Sequence, residues 1–504
     1  MSVSPISRIV PLLLLVGCLE AGAEPEASAP PLAEDDDVVA SVVESKLVAG
    51  AALNASQDLV PDSTRESETA SVVLDFPAGT TRGLAVAFNS VDAAHTSGSN
   101  VCKGYSQSAL SYGFNGVFHG LRFAVPPNLG VSMYSGDPAV AVTTLSGYWL
   151  VYVSTLAISD ATWNKKATGT NSCIARASLP DPDRACISVA LISADGSAVL
   201  PLSGYGGCVG SAGIDGGALY FSPATNSLYA AYFNDTLKSV DVFKNGSKIQ
   251  PPFSSLIMQG HPKFPHTLSA DTIPTVVAAD SAGRFRVARL DEQNGQWTNA
   301  LITSASAPPY DFYDDVALRN GLSVRQTGFT VDSYQELPGG QDFLWLFYSV
   351  KNSGPKRLQG VRVLFQGMNV IESSVLPNAT TPSGSTALLP EVTAVNVSGR
   401  PTDIGFRPWL SYWSDEGQPA GAFKMVMAKV SRQDGSLTRF DVGPVETVCP
   451  TGIRYWGDYD SFVVWNNGSS QPTLLRYLTD STAATCNGSG DPQHVSVVAG
   501  NGAL

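Results

Sequence analysis

The segment Pro274-Thr-Val-Val-Ala-Ala279, Asp280-Ser-Ala-Gly283, Phe285-Arg-Val-Ala-Arg-Leu290, Asn294-Gly295, Trp297 decides the fold class. Two runs rich in β-branched and aromatic residues are separated by an Asp/Gly turn, and a second Asn-Gly turn leads to a third run. This is the pattern of strands joined by hairpins. No run is long enough, or has the 3.6-residue period, to make a helix.

The same plan recurs on both sides. Asp137-Pro138 to Val142, Ser146-Gly147 and Tyr148 to Ser154 follow it upstream; Pro408 to Trp413, Glu416-Gly417, Phe423 to Val430 and Asp434-Gly435 follow it downstream. Units begin near residues 82, 137, 216, 273, 342, 407 and 456. Each unit is a small antiparallel sheet that cannot bury both faces alone. Packing such sheets around an axis solves this and leaves only short edges. We expect an all-β chain, a β-propeller of six or seven blades over residues 71–490, with residues 491–504 as a tail. Tandem β-sandwich domains are the alternative, and Phe343 to Phe365 would also suit an immunoglobulin-like domain.

The N-terminus carries a different message. Arg8 precedes a short apolar run ending in Leu15-Val16-Gly17-Cys18. The run is too short to span a bilayer, which takes about 20 residues, and it has the layout of a cleavable export signal over residues 1–17. Small residues before a cysteine resemble a bacterial lipobox, which implies a lipid on Cys18. Residues 18–70 are rich in Ala, Pro, Glu and Asp, including Glu34-Asp35-Asp36-Asp37, and read as a disordered acidic tether. A weak helix over Val38 to Ala52 is compatible with that segment. The expected location is outside the cytoplasm, as a membrane-anchored lipoprotein at the outer membrane or cell surface. Leu19 rather than Asp after the cysteine favours the outer membrane.

Composition limits function. The net charge of −13 comes without any Lys/Arg cluster, which argues against nucleic acid, where affinity depends on neutralising phosphates. Setting Cys18 aside, Cys102, Cys173, Cys186, Cys208, Cys449 and Cys486 are even in number, as expected of disulfides in an oxidising compartment. Cys449 and Cys486 flank one strand pair and Cys173 and Cys186 bracket a polar loop, which favours those two pairings. No Cys/His spacing matches a zinc site. His261 and His266 flank Pro262-Lys-Phe-Pro265, which reads as a loop. The acidic turn Asp311, Asp314, Asp315 has the oxygen ligands Ca²⁺ uses but reads as a solvated turn. No metal or cofactor is expected.

Two stretches resemble bacterial sialidase-like propellers with BNR, or Asp-box, repeats. One is Ser111-Tyr-Gly-Phe-Asn-Gly-Val-Phe118 followed by Ser135-Gly-Asp-Pro-Ala-Val-Ala-Val142; the other is Tyr455-Trp-Gly-Asp-Tyr-Asp-Ser-Phe-Val-Val-Trp465. Ser111 and Phe118 match the ends of an Asp-box, whereas Gly113 stands in place of its Asp and Asn115 in place of its Gly. The Arg-Ile-Pro signature is missing; Arg122-Phe-Ala-Val-Pro126 comes after the degenerate box. The resemblance implies a pocket on the propeller axis. In an enzyme of this type, arginines would grip a sugar carboxylate beside a Tyr nucleophile and an Asp acid. Position nominates Arg407 and Arg454 as grips, Tyr459 as nucleophile, and Asp137 or Asp458 as acid. Trp409, Trp456 and Tyr459 are the candidate ligand platforms. With the signatures degenerate, the expected function is binding of glycan or protein at the axial face, with glycoside hydrolysis as the alternative.

Overall fold

The structure is a computed structural model. It describes residues 43–46, 56–58, 65–75, 82–91, 96–114, 117–123, 129–167, 173–194, 199–202, 207–210, 213–265, 273–303, 329–335, 342–350, 357–382, 384–385, 387–396, 406–419, 422–431, 434–447, 461–465, 473–481 and 493–501. These residues form a β-propeller.

Seven antiparallel meander sheets are present among the described residues. Their innermost strands are Arg65–Asp75, Val131–Leu145, Ile214–Ser222, Met258–Lys263, Phe329–Gln335, Ala387–Asn396 and Ser461–Trp465. We number the blades 1 to 7 in that order. Inner strands touch in succession from blade 1 to blade 4 and from blade 5 to blade 7, and that of blade 7 returns to blade 1, where Thr69 and Ser461 share a hydroxyl hydrogen bond of 3.0 Å. Phe343 to Phe365 supplies the middle strands of blade 5, Asp342–Val350 and Arg357–Gln366, rather than a separate sandwich.

The blades are glued face to face by apolar side chains that alternate along the strands. Blades 1 and 2 share Leu74, Ala85, Leu110, Val140, Trp149 and Val151. Blades 4 and 5 share Phe285, Phe329, Leu346 and Tyr348. Small residues such as Ala85 and Ala190 join large ones such as Trp149 in the same cluster, which lets the wedge-shaped space between blades fill closely. Polar pins cross the same interfaces. Arg289 of blade 4, 4% exposed, lies 2.5 Å from Asp342 of blade 5 and stacks over Phe365. Glu292 of blade 4 accepts from Tyr229 and Ser222 of blade 3 at 2.6 and 2.9 Å.

The boundaries differ from the sequence reading. Ser56–Asp58 pairs with Gln493–Asn501, so the fourth strand of blade 7 comes from near the N-terminus. Val43–Lys46 is a strand that pairs with Val117–Phe123 at the rim of blade 1, not part of a helix. Strands therefore occur inside the spans assigned to the tether and the tail. The reason is topological: blade 7 supplies only three strands of its own, and a neighbour in space must cover its edge.

Two disulfides correct the expected pairing. Cys102 bonds Cys173, and Cys186 bonds Cys208. Strand register brings these partners together, since Cys102 lies opposite Cys173 and Cys186 opposite Cys208 in their ladders. Cys449 and Cys486 lie outside the described residues. The first disulfide belongs to a three-stranded insertion, Thr96–Ser97, Asn100–Cys102 and Cys173–Ala175. The short helix Asp160–Lys166 packs against it through the fully buried Trp163. Among the described residues no helix is long and apolar enough to cross a membrane.

Candidate functional site

Six of the seven inner strands converge on one cavity of about 90 Å³, room for a few ordered waters. Its polar lining includes Thr69 and Ser71 (blade 1), Asp137 (blade 2), His261 and Lys263 (blade 4), Glu391 (blade 6) and Ser461 (blade 7). Phe264 and Phe462 add apolar surface.

The local sequence bends the backbone to build this site. In blade 2, Gly136 (φ 117°) and Asp137 (φ 51°) have positive φ, and the ladder shifts register between Ser154 and Leu156. In blade 3, Gly216 (φ 48°) accompanies a second shift between Asp215 and Gly217. Both are β-bulges, which re-aim side chains at a strand end. Here they turn Asp137 and Asp215 toward one another across two blades. The Asp137 Oδ2 atom accepts the Gly216 N–H at 3.0 Å. His261 of blade 4 packs on Gly216 so closely that a Cβ there would overlap its ring. Its Nε2 stands 3.3 Å from Asp215 Oδ1.

His261 is almost fully buried, whereas the Asp215 side chain is half-exposed. Burial opposes the charge on both, but their mutual attraction wins. The Asp215 carboxyl is held below its usual range by the hydrogen bond and charge of His261, with help from Asp137 and the Gly216 N–H. The His261 imidazole is raised by the hydrogen bond and charge of Asp215 and by the charge of Asp137, against a smaller contribution from Lys263. One ligand atom from each of Asp137, Asp215 and His261 lies within 4.8 Å of the others. Farther round the axis, Glu391 accepts from Thr330 Oγ1 at 3.0 Å, and that hydroxyl accepts from the Val392 N–H at 3.1 Å.

Of the positions nominated from sequence, Asp137 lies in this cavity, bonded across the blade interface to Gly216. Trp409 does not: it is fully buried in the second strand of blade 6, Phe406–Ser414, because that strand faces neighbouring sheets rather than the axis. Arg407 lies on the same strand, paired in register with Val395, and its side chain is outside the described residues. Arg454, Trp456, Asp458, Tyr459, Cys18 and the turn Asp311, Asp314, Asp315 also lie outside them. His261 is on an inner strand rather than in a loop. Asp215 and Glu391 escaped the sequence reading, and His261 was read there only as a loop residue. The signal for the first was the pair Gly216-Gly217 directly after an Asp at a strand start, which echoes the Gly136-Asp137 arrangement of the blade before.

No family model matches the chain, and no curated protein does. Solved structures do. A mutant of NanB sialidase from Streptococcus pneumoniae is 10% identical, with 90% of this chain and 70% of that one covered at a TM-score of 0.36. A mutant of Aleuria aurantia lectin, in complex with α-methyl-L-fucoside, is 11% identical, with 71% of this chain and 94% of that one covered at a TM-score of 0.37. The WD40 domain of SCAP from fission yeast is 7% identical, with 89% of this chain and 98% of that one covered at a TM-score of 0.37. The chain is thus similar to proteins of several kinds, and its own fold assignment rests on the sheet topology.

Proposed function

We propose that this chain is an exported binding propeller whose axial pocket takes a neutral, hydroxyl-rich ligand of the glycan class. The observation that carries this reading is the lining of the pocket. Asp137 and Glu391 face it, Asp215 adjoins it, and Thr69, Ser71 and Ser461 add hydroxyls. Carboxylates form strong charge-assisted hydrogen bonds with hydroxyl donors, and the two phenylalanines offer an apolar surface for the C–H faces of a sugar. Lys263 and His261 are the only cationic side chains among the described lining residues. A pocket with this excess of carboxylates repels an anionic sugar, which turns the preference away from sialosides. The two disulfides support life in an oxidising compartment, and the Leu15 to Cys18 motif supports attachment through a lipid on Cys18.

A second reading, glycoside hydrolysis, is favoured by one observation: the ligand atoms of Asp137 and Asp215 lie within 4.8 Å of one another, and paired carboxylates are the usual machinery of such enzymes. A panel of fluorogenic neutral glycosides and sialosides separates the two. Turnover lost in Asp215→Asn establishes the enzyme, whereas retention of glycans without turnover establishes the binder. Metabolic labelling with a fatty-acid analogue tests the anchor: label is expected on the wild type and absent from Cys18→Ser.

A further inference from the structure

We infer that Asp137, Asp215 and His261 form a site for a first-row divalent cation such as Zn²⁺ or Mn²⁺, built between blades 2, 3 and 4. The three residues come from three inner strands, and their ligand atoms already lie within 4.8 Å of one another. The His261 Nε2 to Asp215 Oδ1 separation is 3.3 Å. Bonds of about 2.0–2.1 Å in a tetrahedral shell place two ligands about 3.3 Å apart. A small rotation of Asp137, whose Oδ2 faces the Gly216 N–H, completes a three-residue set.

The donor chemistry selects the ion. One imidazole with two carboxylates suits Zn²⁺, Mn²⁺ and their neighbours, while Ca²⁺ and Mg²⁺ prefer shells made only of oxygen. Charge agrees with this. When His261 ligates as the neutral imidazole, the two aspartates leave a double negative charge, which a divalent ion cancels. Gly216 makes the arrangement possible, because any side chain there would occupy the space of the His261 ring. The cavity of about 90 Å³ beside the cluster leaves the remaining coordination positions to water or to ligand hydroxyls, the layout of a site that keeps an open position. Asp137 and Asp215 also serve the glycan reading, but ion binding measured without glycan does not depend on it.

The test is calorimetric titration of chelator-treated, full-length protein with Zn²⁺ and with Mn²⁺, no glycan being present. One equivalent is expected to bind per chain, with Ca²⁺ and Mg²⁺ bound at least about tenfold more weakly. Asp215→Asn and His261→Gln should each weaken binding by about 10-fold or more, since loss of an outer-shell partner alone costs a metal site about 10- to 100-fold. Asp215 is half-exposed, so Asp215→Asn keeps the test alive if His261→Gln fails to fold. With Co²⁺ as the probe, visible absorption bands should appear in the wild type and be lost in Asp215→Asn. Absence of binding at millimolar Zn²⁺ and Mn²⁺ overturns the inference. So does binding that Asp215→Asn leaves unchanged, and so does equal affinity for Ca²⁺.

Discussion

Replacing Gly216 with alanine tests the architecture of the site at its narrowest point. Two separate costs are expected. The residue is left-handed at φ 48°, a conformation that costs an L-residue about 1–2 kcal/mol. The new Cβ would also overlap the His261 ring. His261 is almost fully buried, so forced repacking adds about 1–3 kcal/mol. The sum is about 2–5 kcal/mol. Gly295→Ala isolates the first cost, because Gly295 has φ +70° with nothing within 4 Å of a built Cβ. Chemical denaturation of the two variants beside the wild type reads the difference directly. Gly216→Ala should be the less stable by about 1–3 kcal/mol. Equal destabilisation of the two variants would refute the packing of His261 onto Gly216, and with it the geometry that brings His261 to Asp215.

Other consequences are open to measurement. Arg289→Met alone leaves the Asp342 carboxylate in a largely buried interface and should cost about 3–5 kcal/mol in urea unfolding; Arg289→Met with Asp342→Leu should recover most of that loss. Opening Cys102–Cys173, with a sequence separation of 71, should cost about 4 kcal/mol, against about 3 for Cys186–Cys208 with a separation of 22, when Cys→Ser variants are melted under non-reducing conditions. Burial works to raise the Asp280 carboxyl, but hydrogen bonds from Arg284 and Arg286 outweigh it and hold it below its ordinary value. Its contribution to stability is therefore complete above the unfolded pKa, about 3.9, and is lost as pH falls through the lower folded value. The gap in Tm between wild type and Asp280→Asn should be widest near neutral pH and close as the solution is acidified.

The fold was legible where the chain uses apolar runs and turn residues. The turn at Asp280-Ser-Ala-Gly283 occurs as read, with Asp280 accepting from the Ala282 and Arg284 N–H groups. Seven unit starts correspond to seven sheets, but in several the phase is off by one strand. Residues 82, 273, 342 and 407 fall at the second strand of their blades. The inner strands before them, such as Met258–Lys263 and Phe329–Gln335, intersperse polar residues and lack an apolar run. The pairing of Ser56–Asp58 with Gln493–Asn501 has no local signal at all, since closure joins segments from opposite ends of the chain. The disulfides show the same limit. The partner of Cys173 is fixed by strand register with Cys102, not by nearness to Cys186.

The candidate site was legible in one residue. Asp137 stood out as part of Ser135-Gly-Asp-Pro138 at a predicted strand start. Its partners did not, because Asp215 and His261 reach it from different blades and only the closed ring makes them neighbours. Short aspartate–glycine steps also serve as ordinary turns, and a linear pattern does not distinguish a satisfied turn from half of a site.

A glycan array probed with full-length protein reads whether the carboxylate-lined axial pocket holds a neutral glycan. Asp137→Asn is the informative control, since asparagine tolerates the left-handed backbone found there while removing the charge. Neutral oligosaccharides should be retained, their sialylated counterparts discriminated against, and binding lost in Asp137→Asn. Preference for sialylated glycans, or neutral-glycan binding that Asp137→Asn leaves intact, would contradict the neutral-glycan reading.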